Sequence, residues 1–281
     1  MSRKKRAIFI AVWLALIVLT LVGTFLIGSS GGDRESIKDV MRDAVLHGDN
    51  RVSLFGIKDV DPALISAVTV TAVLLALAAV IRVFFIPRFK MIPGKFQLVL
   101  EELVGFFDNL ARTQSPHRNM FLGGYIFAAG TYIFIGTLFE LFGLQVVTAG
   151  GISVSLPAPL SDINGAIAMG VTSYFVIMSG GIAGNGVKGI GLTLKEFSLP
   201  ISMSFRLFGA LLSGLLVTEL VYYYISLSFV LPVAVGVMFT LLHALIQTYV
   251  LTMLTALFYG EVSAPSAKKN KKEIILQGRK S

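Results

Sequence analysis

The sequence predicts an all-α polytopic membrane protein, with about six membrane-spanning helices and one amphipathic helix along the membrane surface. Three observations predict it. Of the 281 residues, 55% are hydrophobic and 14% charged, and the mean hydropathy is +0.80, which leaves too little polar surface for a soluble domain. Six apolar runs, at about 7–27, 63–86, 119–141, 163–183, 200–226 and 229–258, each reach the length of roughly 20 residues that crosses a bilayer as helix. The basic residues are also partitioned. With the amino terminus on the cytoplasmic side, eighteen of the 24 Lys and Arg fall in inside segments and five outside, and the remaining one is Arg206. That bias fixes the orientation and predicts a multi-pass protein of the bacterial inner (plasma) membrane, with both termini cytoplasmic if the first helix is retained.

Composition removes several function classes. A net charge of +8 suits a nucleic-acid partner only when the basic residues gather on one soluble face, and here they lie between apolar runs. No nucleic acid is expected. The chain has no cysteine, so disulfides, thiolate metal sites and Cys nucleophiles are excluded. It contains no GxxxxGK[ST] to cradle phosphate, and no cofactor, metal or catalytic site of its own is expected.

Along the chain, residues 1–30 form an apolar helix read as a retained span or a signal peptide. Its run is longer than a typical signal core and lacks an A-x-A site, which favours retention. Residues 31–61, with seven acids and five bases, form a polar outside segment with one amphipathic helix and no ligand motif. Residues 62–260 form the membrane domain and 261–281 a basic cytoplasmic tail. Within the membrane domain, Pro87, Pro93 and Gly94 end the second helix at the surface. In 95–112, Phe96, Leu100, Leu103, Phe107 and Leu110 recur at helical spacing, as in a helix lying on the membrane. The outside loop 143–162 carries no basic residue, the cytoplasmic loop 184–198 is short and glycine-rich, and a few residues near Ser226 join the last two spans into a tight antiparallel hairpin.

Function is expected where charge enters the membrane, because an ionisable residue at bilayer depth costs roughly 2.5–3.5 kcal/mol even on lenient scales and needs a partner, water or a role. Four residues qualify: Glu140, Asp162, Arg206 and Glu219. A guanidinium keeps its charge under all practical conditions, so Arg206 is a poor proton carrier but a good fixed barrier and a good temporary partner for a carboxylate. It cannot pair directly with Glu219, thirteen residues along the same helix and so about 20 Å away. Asp162 has two readings of equal weight, helix N-cap and channel residue. Glu140 stands at a helix C-terminus, where the dipole disfavours a negative charge, which favours a channel mouth. Asn164 lines water or bonds to neighbouring helices. Ser202, Ser204 and Glu196 are weak candidates for a cytoplasmic outlet.

Further motifs carry a resemblance. SFRLFG after LPISM, with QTYVLTMLTALFYG in the last span, resembles the subunit a family of F-type ATP synthases, and IPGKFQLVLEELVGFFDNLA, FELFGL and SDIN extend the likeness over about 63–260 in consistent order. The resemblance implies a stator subunit whose last two spans form a long tilted hairpin against a ring of c subunits, with b-type peripheral stalk subunits and the lipid bilayer as its other partners. It implies that Arg206 is the essential arginine facing the ring and that Gln247 is its neighbour on the last helix. It also implies two half-channels carrying protons, or sodium ions, to and from ring carboxylates. The family commonly has a carboxylate and a histidine where this sequence has Leu215 and Thr240, and an asparagine where it has Ala210. This chain offers Glu219 and His243 instead, each about one turn along the same helix face. The imidazole of His243 then either replaces the missing amide or serves as a helix-interface hydrogen-bonding group. Two rivals stand beside this reading: a secondary transporter binding an anionic substrate at Arg206, and a membrane anchor that assembles without conducting.

Overall fold

A computed structural model describes residues 52–54, 57–142, 145–147, 153–223 and 231–265, with a few isolated positions before residue 39. The expected first span, most of the outside segment 31–61, the turn near Ser226 and the basic tail lie outside the described residues. The chain divides into two compact units, one of Met1–Asp49 with Ser213–Phe239 and one of Asn50–Leu212 with Thr240–Ser281. Within the first, the outer parts of the last two long helices are described; the second holds everything that follows up to the site.

Among the described residues, two short antiparallel hairpins interrupt a succession of helices. Strands β1 (Val52–Leu54) and β2 (Ile57–Val60) pair ahead of the first described helix, and β3 (Gln145–Val147) pairs with β4 (Ser153–Ser155) in the outside loop. Neither hairpin was expected from the sequence. Helix α1 (Pro62–Val80) starts on Asp61, whose carboxylate accepts from the Ala63 amide at 2.8 Å, with Pro62 at its first position. It runs on through a π-helical turn, Ile81–Phe85, and a 3₁₀ turn, Ile86–Arg88, so that 27 residues cross without a break.

Helix α2 (Lys95–Gln114) follows the Pro87/Pro93 break, as the sequence predicts. Gln97 holds the turn in place: its side chain accepts from the Lys90 amide at 3.1 Å and donates to the Lys90 carbonyl at 3.0 Å. One face of α2 buries Phe107 and Ala111 against α3 (Met120–Leu141), where Phe107 fits over Gly130. Helices α4 (Ile163–Asn185), α5 (Val187–Lys195), α6 (Ser198–Tyr223) and α7 (Leu231–Ser263) complete the order. Among the described residues, four helices are long and apolar enough to cross a membrane, and α5 with the first part of α6, bent by 50°, makes a fifth if the bent pair is one span.

The loop expected at 184–198 is a helix. Gly186, at φ +62°, reverses the chain after α4, and α5 then runs back along α4: Gly189 meets the Gly181 carbonyl, and the Tyr174 hydroxyl donates to the Thr193 carbonyl at 3.0 Å. The glycines that made this stretch look like a loop are what let two backbones touch. In lipid, association rests on such close contact of small residues, since burial of apolar surface gains little there. Gly180 under Tyr259 and Gly184 against the Ser263 backbone bring α7 onto the other side of α4, and Asn185 donates to the carbonyls of Val262 and Ala264 at 2.9 and 2.8 Å to finish α7. The core of this unit is built from Leu122, Ile126, Ile133, Ile177, Met203 and Leu207.

Replacing Gly189 with Val forces the α4 and α5 backbones apart, whereas a side chain at Gly191 meets nothing within 4 Å. Denaturation of the detergent-solubilised chain should show Gly189→Val destabilised by about 1–3 kcal/mol and Gly191→Val nearly unchanged; equal effects would refute the packing.

Candidate functional site

Two faces of α6 separate cleanly. Leu199, Met203, Leu207 and Leu211 recur every fourth residue and are buried in the bundle. Ile201, Ser202, Phe205, Arg206 and Gly209 are exposed. Arg206 is thus turned away from its own bundle, and among the described residues it makes no ion pair, the one such pair being Arg112–Asp108. Helix α7 supplies the element beside it. There Ala244, Gln247, Leu251, Thr255 and Tyr259 are buried, while Leu242, Leu245, Ile246 and Tyr249 are exposed.

Gln247 joins the two helices: its Nε2 donates to the Arg206 carbonyl at 3.4 Å, with the side chain only 5% exposed. The neighbouring Thr248 hydroxyl donates to the Gly130 carbonyl at 3.4 Å. Gly130 is the eleventh of the 22 residues of α3, about 15 Å from either end at 1.5 Å per residue. Through Gln247 and Thr248, Arg206 is therefore level with the middle of a spanning helix, at the depth where a charge is most costly.

A second cluster lies where α4 begins. Asp162 caps the helix, accepting from the amides of Asn164 at 3.1 Å and Gly165 at 3.2 Å, while the Asn164 side-chain amide donates back to it at 3.4 Å. The segment leading to it, including Leu156, Ala158, Leu160 and Ser161, is buried, with Ser161 bonded through its amide (3.0 Å) and hydroxyl (2.7 Å) to the Ala158 carbonyl. Irregular backbone at membrane depth survives only when satisfied and enclosed in this way. Pro159 in this segment packs on Gly136 of α3, five residues before the end of that helix at Leu141, about 7 Å below it. Asp162 and Asn164 thus stand recessed. They line the outer end of a cleft of about 990 Å³ between α1, α2, α3 and α4.

The structure brings Arg206 to Gln247, and Asp162 to Asn164. His243 stands one turn before Gln247 on α7, half-buried. Glu140 occupies the last turn of α3, half-buried, after Phe139, which packs with Val70 and Leu156; among the described residues its carboxylate has no ion-pair partner. Glu219 lies on α6, and its side chain lies outside the described residues. Ser204, weighed as an outlet residue, is instead buried against Gly170, its hydroxyl donating to the Pro200 carbonyl at 2.6 Å. Sequence reasoning missed the cleft. It also passed over Arg82, which lines the cleft's other end and was counted only among the surface charges, although it lies within the apolar run 63–86.

This arrangement, an outward arginine at mid-depth with a glutamine pinned beneath it, lies within the long segment that comparison with known proteins matches. The ATP synthase A chain family matches residues 65–260. The chain belongs to that family. Among relatives named ATP synthase subunit a, that of Cereibacter sphaeroides is 27% identical over 199 residues, covering 66% of this chain and 76% of the relative. That of Sulfurihydrogenibium sp. is 24% identical over 200 residues, covering 66% and 90%. A chloroplastic relative from Bigelowiella natans is 29% identical over 192 residues, covering 61% and 75%. The family match begins within α1 and ends within α7, so every site residue described above lies inside it.

The cap at Asp162 needs oxygen acceptors rather than charge. Asp162→Ala should cost about 1 kcal/mol of stability and Asp162→Asn only a few tenths, measured by denaturation in detergent. Equal losses in both variants would contradict the capping assignment.

Proposed function

We propose that this chain is the stator subunit a of an F-type ATP synthase, and that it guides protons or sodium ions through two half-channels to and from carboxylates on a ring of c subunits. The observation that carries the reading is Arg206: at the level of the middle of α3, exposed, and without an ion-pair partner among the described residues of its own chain. A charge held there calls for an acidic partner from outside the chain. The names of the relatives, and the family itself, support that partner being a subunit of the synthase.

The chemistry follows from the charge. A ring carboxylate arrives from lipid neutral, carrying its ion. Near the guanidinium the charged form is favoured, so the ion is released. In a low-dielectric site the same fixed charge repels a bare cation, which blocks direct leakage from one half-channel to the other. Ion flow then requires the ring to turn. Gln247 holds the backbone of Arg206 against α7 and so fixes the height at which the exchange occurs.

On the outer side, Asp162, Asn164 and Glu140 form the entrance, and Glu219 with His243 carries the ion along the outer parts of α6 and α7. The recessed start of α4 supports this, since it opens a polar mouth below the end of α3. Ring subunits, b-type stalk subunits and lipid are the partners, in a bacterial inner membrane with the basic segments cytoplasmic. Nucleotide chemistry belongs to other subunits. The outward exposure of Arg206 favours a partner sliding past over a small anion held in a pocket, which is what the transporter alternative requires.

In inverted membrane vesicles, Arg206→Ala should abolish ATP-driven ion pumping while the complex still assembles with its ring and soluble ATPase. Normal pumping by an assembled Arg206→Ala complex would refute the mechanism, and a wild-type preparation lacking both ring and ATPase would refute the assignment.

A further inference from the structure

The face of α6 opposite Arg206 makes a close contact with α4. Ser204 precedes Arg206 by two residues, which at 3.6 residues per turn sets their side chains about 200° apart round the helix. Ser204 is buried where Arg206 is exposed, and it rests on Gly170. A methyl group at 170 would overlap the Ser204 hydroxyl and lie 2.9 Å from the Pro200 carbonyl oxygen and 3.1 Å from the Ser204 amide nitrogen. Two of these three atoms are backbone, so no turn of a side chain makes room. The Ser204 hydroxyl is committed as well, donating to the Pro200 carbonyl at 2.6 Å.

The two flanks of this contact differ. On one side Met203 and Leu207, each 1% exposed, are locked into the core. On the other, a groove of about 240 Å³ lies between Ile163, Ile167 and Val171 of α4 and Ile201, Phe205 and Phe208 of α6. A push at Ser204 thus meets close packing on one flank and open space on the other, and α6 yields by rolling about its axis. A displacement of about 1 Å at the Cα radius of about 2.3 Å is a roll of about 25°, and at a side-chain radius of about 5–6 Å it carries the tip about 2–2.5 Å sideways. That is nearly the whole length of a charge-assisted hydrogen bond, roughly 2.7–2.9 Å. The Gln247 bond does not supply this restraint. It ends on the Arg206 carbonyl, which lies nearly parallel to the helix axis, so it fixes height and constrains roll weakly.

We infer that Gly170 is a positioning residue for ion transfer: by admitting Ser204 to backbone contact, it fixes the roll of α6 and with it the direction in which Arg206 faces the ring. The inference rests on the reading of Arg206 given above and adds the element that aims it. Gly170 acts through Ser204, from the side of α6 away from Arg206. Any side chain at 170 turns the guanidinium off its line while leaving its charge, and its depth beside Gln247, unchanged.

The test reads roll and coupling separately. Nitroxide labels placed singly at Ile201, Ser202, Phe205, Phe208 and Gly209 of the full-length chain in detergent report, through their accessibility to oxygen, which face of α6 points outward. Gly170→Ala should turn that face by about 25°, whereas Gly124→Ala, whose added methyl meets nothing within 4 Å, should leave it in place. Ser204→Ala in the Gly170→Ala background removes the overlapped hydroxyl and should bring the face part of the way back. Ser204→Thr adds a methyl to the same contact from the α6 side, should turn the face as well, and serves where Gly170→Ala does not fold. In membrane vesicles, Gly170→Ala should lower ATP-driven ion pumping per assembled complex about tenfold or more, and the Ser204→Ala partner should restore part of it. The accessibility reading needs no ring, so its failure is separable from failure of the synthase assignment, which shows as absence of ring and ATPase from the wild-type complex. An unmoved face in both Gly170→Ala and Ser204→Thr, or normal pumping per assembled complex despite a turned face, would overturn the inference.

Discussion

A guanidinium at the level of mid-membrane, facing out of its own bundle, is the constraint around which the rest of the chain is arranged. Among the described residues no partner for its charge sets its position. It is set by the backbone: Gln247 grips the Arg206 carbonyl, Thr248 grips Gly130, and the buried stripe Leu199–Met203–Leu207–Leu211 holds its own face of α6 against the bundle. The guanidinium itself is left available. That separation between what holds the residue and what it acts on is the physical requirement for a charge meant to meet a succession of transient partners.

Holding a backbone in place inside lipid depends on close packing, because the hydrophobic effect offers little once the side chains are already out of water. Glycine does much of this work. Gly181 with Gly189 and Gly170 beside Ser204 bring α5 and α6 to backbone contact with α4, and Gly180 under Tyr259 and Gly130 under Phe107 seat aromatic rings of α7 and α2 on α4 and α3. The same economy of space leaves α1 packed less closely, and the cleft behind it has polar groups at one end and a lone arginine at the other. The outward face of α6 and the cleft beside α1 lie at the two margins of that dense core.

Much of this was legible in the sequence. The runs 63–86, 119–141 and 163–183 became α1 with its extension, α3 and α4 within a few residues, because apolar length in a membrane protein leaves few alternatives to helix. The break at Pro87–Gly94 and the surface helix after it were readable from backbone chemistry. Arg206 with Gln247 was readable from motif, and their contact is in the structure. What sequence pattern concealed was long-range pairing. Val187–Lys195 looked like loop because glycine is ambiguous between flexibility and close approach, and only the presence of Gly181 opposite resolves it. The recessed start of α4 was hidden for the same reason, since Pro159 meeting Gly136 is not a local property. Arg82 was concealed by counting: it belonged to a charge tally that described orientation and ignored depth.

Cysteine crosslinking in intact membranes tests the central claim most directly. Gly209 is exposed one turn beyond Arg206, with open space where a side chain would project, whereas Met203 is buried on the bundle side. A cysteine at 209 should form a disulfide with a cysteine placed beside the ring carboxylate, in many rotary positions of the ring, and a cysteine at 203 should not. Crosslinking at 203 in preference to 209, or at neither, would contradict an arginine that faces a moving acidic partner.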